Sequence, residues 1–208
     1  MESNWAAEHL QVIRTLMERS ALYRRALAPV MIFNGLLGVA GGIVGWALHI
    51  NSAQAFIGYW AALGVAALIG SFLLVRRQAL KESEPFWSPP TRRIAQALLP
   101  ALFVGSIAGV LSLACPNWDF LQPWALPALW ILLYGCALTA AGFFMHRGIK
   151  LLGWLFILTG CALIASRCQT DALLSLSGGH QVMGGVFGGL HLAYGIYLYF
   201  TEQRRNES

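Results

Sequence analysis

The chain has 208 residues, of which 57% are hydrophobic and only 11% charged, and its mean hydropathy is +0.60. That balance excludes a soluble globular domain and makes the lipid bilayer the expected solvent. The formal net charge of +5 does not point to nucleic acid: no polar domain is left to carry a groove-reading element, so the basic residues are expected to meet an anionic leaflet.

Residues 5–25 place Val12, Ile13, Leu16, Met17 and Leu22 among Arg14, Glu18, Arg19, Arg24 and Arg25. The spacing of three to four is that of an amphipathic helix. Asn4 suits its N-cap, and the basic end suits a membrane surface or a cytosolic or membrane protein partner. Residues 1–27 are therefore read as a cytoplasmic amphipathic lead-in. They are polar, and the apolar run that follows is too long for a signal-peptide core, so the first span is expected to be retained.

Six apolar segments follow, predicted at about 28–48, 55–75, 94–114, 124–144, 151–166 and 180–200, within a transmembrane domain of 28–200 and before a cytoplasmic tail of 201–208. At roughly 1.5 Å per residue, about 20 residues cover a hydrocarbon core of about 30 Å. Pro29 sits in the first turn of span one, where a missing N–H costs little. The loop after span two carries Pro85, Pro89 and Pro90, which keep it from being one helix, and its Phe86 and Trp87 suit the membrane interface. Pro100 lies two turns inside span three, a kink that neighbouring helices must enclose. Span five is the shortest as predicted, and is expected to stand perpendicular to the membrane or be partly re-entrant. The segment 167–179 reads as a polar, Gly/Ser-rich loop. With helical signals throughout and no ten-residue alternation, the fold class is all-α, a polytopic six-helix bundle preceded by the amphipathic helix.

Charge fixes the expected orientation. Of the 14 Lys and Arg residues, all but Arg167 fall on one side of this topology. Basic loops are retained in the cytoplasm, which predicts both termini inside and a multi-pass protein of the bacterial inner membrane.

The spans contain no Asp, Glu, Lys or Arg, which weighs against ion-coupled transport, since coupling normally needs an intramembrane charge. His191 is the one strongly ionisable group near mid-membrane. One reading gives it a hydrogen bond to Asn34 or to a Ser or Tyr hydroxyl inside packed helices; another makes His191, Asn34 and Tyr194 the lining of a polar cavity between spans one and six. His180, Gly184, Gly188, His191 and Gly195 fall on one helical stripe, and Gly35, Gly38, Gly41, Gly42 and Gly45 repeat the small-residue theme in span one. Gly38, Gly42, Gly45, Gly184, Gly188 and Gly195 are expected to bring these two spans into close packing. A haem between His180 and His191 is excluded by their separation of about 16 Å along a helix. No cofactor or metal is expected, although His49 and His180 share the outer end.

Four cysteines lack any CxxC spacing, which argues against a metal site. Cys115 and Cys168 both fall at the non-cytoplasmic ends of their spans, where a disulfide is chemically permitted; two small, semi-buried thiols are the other reading.

Ile13–Ser20, Phe86–Arg93 and Gly189–Gly195 together resemble an uncharacterised group of small bacterial inner-membrane proteins. The resemblance covers nearly the full length and implies topology and location, with no activity to carry to any residue. The chain is expected to be non-enzymatic, a membrane scaffold or regulatory component capable of forming a homo-oligomer; the alternative is a small solute transporter or channel with a cavity near His191.

Overall fold

The computed structural model describes residues 27–81, 86–115, 122–145, 147–166 and 175–206. Six helices in it are long and apolar enough to cross a membrane, and every regular element among the described residues is helical. The amphipathic lead-in at 5–25 lies outside the described residues.

Helix α1 (Leu27–Ala47) ends in a turn that the backbone itself closes. His49 takes a left-handed φ of 50°, while its N–H bonds to Trp46 O (3.1 Å) and the Ile50 N–H reaches back to Gly45 O (3.2 Å). This pair of bonds is a Schellman stop. Ser52 then caps α2 (Ala53–Lys81) by accepting from the Ala55 N–H at 3.2 Å. The two helices pack antiparallel: Tyr59 donates to Gly41 O at 2.7 Å near the turn, and Asn34 Nδ2 donates to Ser71 Oγ at 3.0 Å near the other end.

Helix α3 (Pro89–Ala114) begins five residues before the predicted span and continues through Pro100. Pro89 and Pro90, read as loop residues, instead start the helix, because a first-turn proline lacks only an N–H that has no helical partner; Pro85 lies outside the described residues. Helix α4 (Leu126–Ala141) is preceded by a 3₁₀ turn at Pro123–Ala125, and α5 (Arg147–Ser166) has 20 residues. Span five is therefore full length, which removes the expectation of a short or re-entrant segment. Its first turn holds Arg147 and Lys150, read from sequence as loop charges; long basic side chains can sit in a helical turn while their heads reach the interface.

The sixth span is α6 (Leu176–Val182), a π-helical segment (Met183–Gly188) and α7 (Gly189–Asn206) in unbroken succession. It starts within the predicted 167–179 loop, where Ser175 caps the helix by accepting from the Gly178 N–H at 3.0 Å. It also continues through Asn206, so most of the predicted tail is helical.

Two antiparallel helix pairs are drawn together by glycines. One joins α1 to the sixth span. The other joins α4 to α5, where a Cβ on Gly135 would lie 2.7 Å from Ile157 N, one on Gly153 2.7 Å from Thr139 N and one on Gly160 2.9 Å from Leu132 Cα. Phe56, Leu126, Ile131, Ile149 and Phe156 fill the interior between the pairs. Outward, Phe103, Val110, Leu151 and Leu158 are each more than 60% exposed, an apolar surface that hydrocarbon, not water, solvates.

Candidate functional site

The sixth span meets α1 on one side and α2, α4 and α5 through its two histidines. Towards α1 the approach is backbone to backbone. A Cβ on Gly38 would lie 2.8 Å from Gly188 Cα, one on Gly42 2.6 Å from Gly184 Cα, and one on Gly195 2.7 Å from Ile32 N. These separations are shorter than any real Cβ contact, so only glycine fits. Gly45 leaves room for the His180 ring in the same way, and Gly35 does so for the Leu192 backbone. Gly41 belongs to the other side of α1, against the Leu63 side chain.

His180, at the charge-poor end of the span, is completely buried. Its Nε2 lies 3.0 Å from Ile50 O, and Trp60 Nε1 donates to its Nδ1 at 3.2 Å. A carbonyl only accepts, so Nε2 carries the proton and Nδ1 offers the lone pair. Phe56 meets the ring edge-on at 4.8 Å, and Tyr59 and Trp60 lie at 5.7 and 6.0 Å. The Schellman turn after α1 presents the Ile50 carbonyl, so a local helix stop builds one wall of this box.

His191 is also fully buried. Its Nδ1 lies 2.6 Å from Phe187 O, four residues back on the same span, and its Nε2 lies 2.7 Å from the Tyr134 hydroxyl of α4. By the same logic the tautomer is the opposite one: Nδ1 donates, and Tyr134 donates to Nε2. Phe156 of α5 and Phe187 enclose the ring at 5.3 and 5.2 Å. Its place on the flank of the stripe turns it towards α4 and α5, whereas Gly184, Gly188 and Gly195 face α1.

The three residues read as a cavity lining do not converge. Asn34 pairs with Ser71 of α2, and the Tyr194 hydroxyl packs against Gly148 in the first turn of α5, without a hydrogen-bond partner. Aromatic side chains occupy the space beside His191. Among the described residues, Ser112 Oγ in α3 is a second buried side-chain atom without a partner.

Neither histidine presents a free lone pair to a metal, because one nitrogen of each is protonated and the other accepts a hydrogen bond. His180 lies at the same end of the bundle as the exposed His49, which is one residue from its Ile50 partner, but is itself buried. Among the described residues, no three His, Cys, Asp or Glu side chains gather closely enough to hold an ion. Cys115 is half-buried; Cys168, its suggested disulfide partner, lies outside the described residues.

Sequence reading missed Tyr134, Phe156 and Trp60 as partners of the histidines, and the Gly135, Gly153 and Gly160 seam. Tyr134 carried some signal, since a phenol inside an otherwise apolar span needs a partner for its hydroxyl. No family model, curated protein or solved structure matches the chain. The functional reading therefore rests on the geometry.

Proposed function

We propose that this chain is a non-enzymatic protein of the bacterial inner membrane, with both termini cytoplasmic, that acts as a scaffold or regulatory component by binding other molecules rather than passing solutes. The observation that carries this reading is the way the mid-span polar groups are spent. His191 and Tyr134 satisfy each other, Asn34 and Ser71 do the same, and glycine backbones close the α1 seam. A transport path lined by His191 would need those groups turned towards a water-filled space. The amphipathic segment at 5–25 supplies the natural docking element, and a second copy of the chain is a further partner.

The test is photo-crosslinking in native membranes from probes placed at Val12 and Leu16, followed by identification of the adducts. Recovery of one defined protein from the Leu16 probe, lost when the neighbouring Ile13 and Met17 are both changed to Asp, supports the reading. A solute flux in proteoliposomes that the wild type shows and a folded Tyr134→Phe variant lacks would replace it with the transporter reading.

A further inference from the structure

Helix α2 is longer than a membrane requires. Its 29 residues extend about 43 Å at 1.5 Å per residue, against a hydrocarbon core of about 30 Å. With Ala53 at the opposite interface, the stretch from about Leu73 to Lys81 lies at headgroup depth. There the helix turns Val75, Gln78 and Ala79 towards the protein, and Ala79 is almost fully buried. Leu73, Arg76, Arg77, Leu80 and Lys81 recur at steps of three, one, three and one on the outward stripe, and they line an open groove of about 460 Å³. Leu73 and Leu80 are 54% and 70% exposed.

The surroundings are interfacial. Phe86 packs edge-on against Phe72 at 4.8 Å, and Trp87, stacked on Phe86, is 61% exposed. An exposed indole at this level belongs at the boundary between hydrocarbon and headgroups. The residues that line the groove all belong to α2, which carries no acidic residue; Glu82 and Glu84 follow it in the sequence, outside the described residues. The groove thus combines two guanidinium forks, a mobile ammonium and two apolar side chains pointing the same way. This is the chemistry of a phosphodiester with an acyl chain attached: arginine pairs planar oxygens of a phosphate in bidentate fashion, and the leucines lie where the first methylenes would run.

We propose that this groove is a binding site for the headgroup of an anionic phospholipid, with Arg76, Arg77 and Lys81 holding the phosphate and Leu73 and Leu80 packing the upper acyl chain. The site goes beyond the scaffold reading and stands whether or not a protein partner exists.

The experiment is native mass spectrometry of the full chain released from nanodiscs containing phosphatidylglycerol and phosphatidylcholine, with bound lipid counted per molecule. The wild type is expected to retain phosphatidylglycerol selectively. Arg76→Gln with Arg77→Gln should weaken that retention roughly 25-fold, at about fivefold for each surface cation. The charge-matched pair Arg147→Gln and Lys150→Gln should change it by less than about threefold, because those charges lie elsewhere on the surface. Arg76→Lys with Arg77→Lys keeps charge and topology while removing the forks, and should lose part of the selectivity; it carries the test if the neutral pair fails to fold. Equal losses from the two neutral pairs would mean diffuse attraction and overturn the site. Saturable binding of inorganic phosphate that depends on Arg76 and Arg77, with no preference between the two lipids, would assign the groove to a free anion and overturn the lipid proposal.

Discussion

Gly184 and Gly185 are neighbours in one π-helical segment, yet they belong to different surfaces. A side-chain atom on Gly184 would press into Gly42 of α1, and one on Gly188 into Gly38 and Val39. On Gly185 or Gly189 it would meet nothing within 4 Å. The α1-facing side of the sixth span is held by contact between backbones, whereas its other sides are held by aromatic rings or left to lipid. Glycine content therefore does not measure packing; what matters is which glycines another backbone meets. In a bilayer this decides much of the energy, because lipid tails compete with apolar side chains on equal terms while close backbone approach gains dispersion and weak polar contacts that lipid cannot match.

The strongest way to break this contrast is Gly188→Leu. The new side chain would have to displace α1 along the seam, since the atoms in its path are the Val39 and Gly38 backbone. We expect a loss of about 3 kcal/mol or more, beyond the usual overpacking range because no flexible side chain can yield. Tryptophan fluorescence against increasing mole fraction of sodium dodecyl sulfate measures it. A loss below about 1 kcal/mol would show that the seam relaxes and that backbone contact does not control the pairing.

His180 lies on the same side as the seam glycines and ties the sixth span to α2 and to the turn after α1. His180→Ala removes a fully buried ring and strands the Trp60 N–H and the Ile50 carbonyl, a change expected to cost about 2–4 kcal/mol. It should also shift Trp60 emission as that indole loses its acceptor. A stable variant with unchanged emission would mean that the aromatic box holds without its histidine. On the other side, Tyr134→Phe deletes only the hydrogen bond to His191 and keeps the ring contacts with Phe156 and Phe187. Hydrogen bonds between membrane helices average about 0.6 kcal/mol, so the expected loss is about 1 kcal/mol, again by detergent titration. A loss as large as that of His180→Ala would put the mid-span box on a par with the seam.

The parts of this contrast legible in sequence are those that depend on one helix at a time. Hydropathy located six spans, and helical periodicity placed Gly38, Gly42, Gly184 and Gly188 on facing stripes, because both signals come from the local chain. The partners of the histidines needed knowledge of which helices are neighbours. Nothing in span six indicates Tyr134 of α4 or Trp60 of α2, and Asn34, the polar residue nearest in pattern, pairs with Ser71 instead. The Gly135, Gly153 and Gly160 seam was hidden because those glycines are spread singly over two spans. Boundaries shifted where a residue has two roles: Pro89 and Pro90 open a helix as readily as they break one, and Arg147 is compatible with a first turn. The π segment left no trace, since the Gly-rich run that permits it is equally a packing motif.

The smallest expected effect sharpens the contrast most. Gly185→Ala adds a methyl group where the structure has open space, one residue along from a position where the same methyl would meet a backbone. Glycine costs a helix about 0.5–1 kcal/mol relative to alanine through its extra freedom in the unfolded chain. With no clash to offset that gain, Gly185→Ala should leave stability unchanged or raise it by about that amount, and Gly189→Ala should behave alike. Measured beside Gly184→Ala in the same detergent titration, the pair isolates the contact, because propensity, depth and neighbouring sequence are nearly common to both. If Gly185→Ala instead destabilises as Gly184→Ala does, then this side of the span is also covered in the membrane. Loss of a dimer band on cross-linking of the Gly185→Ala variant would then identify a second copy of the chain as what covers it.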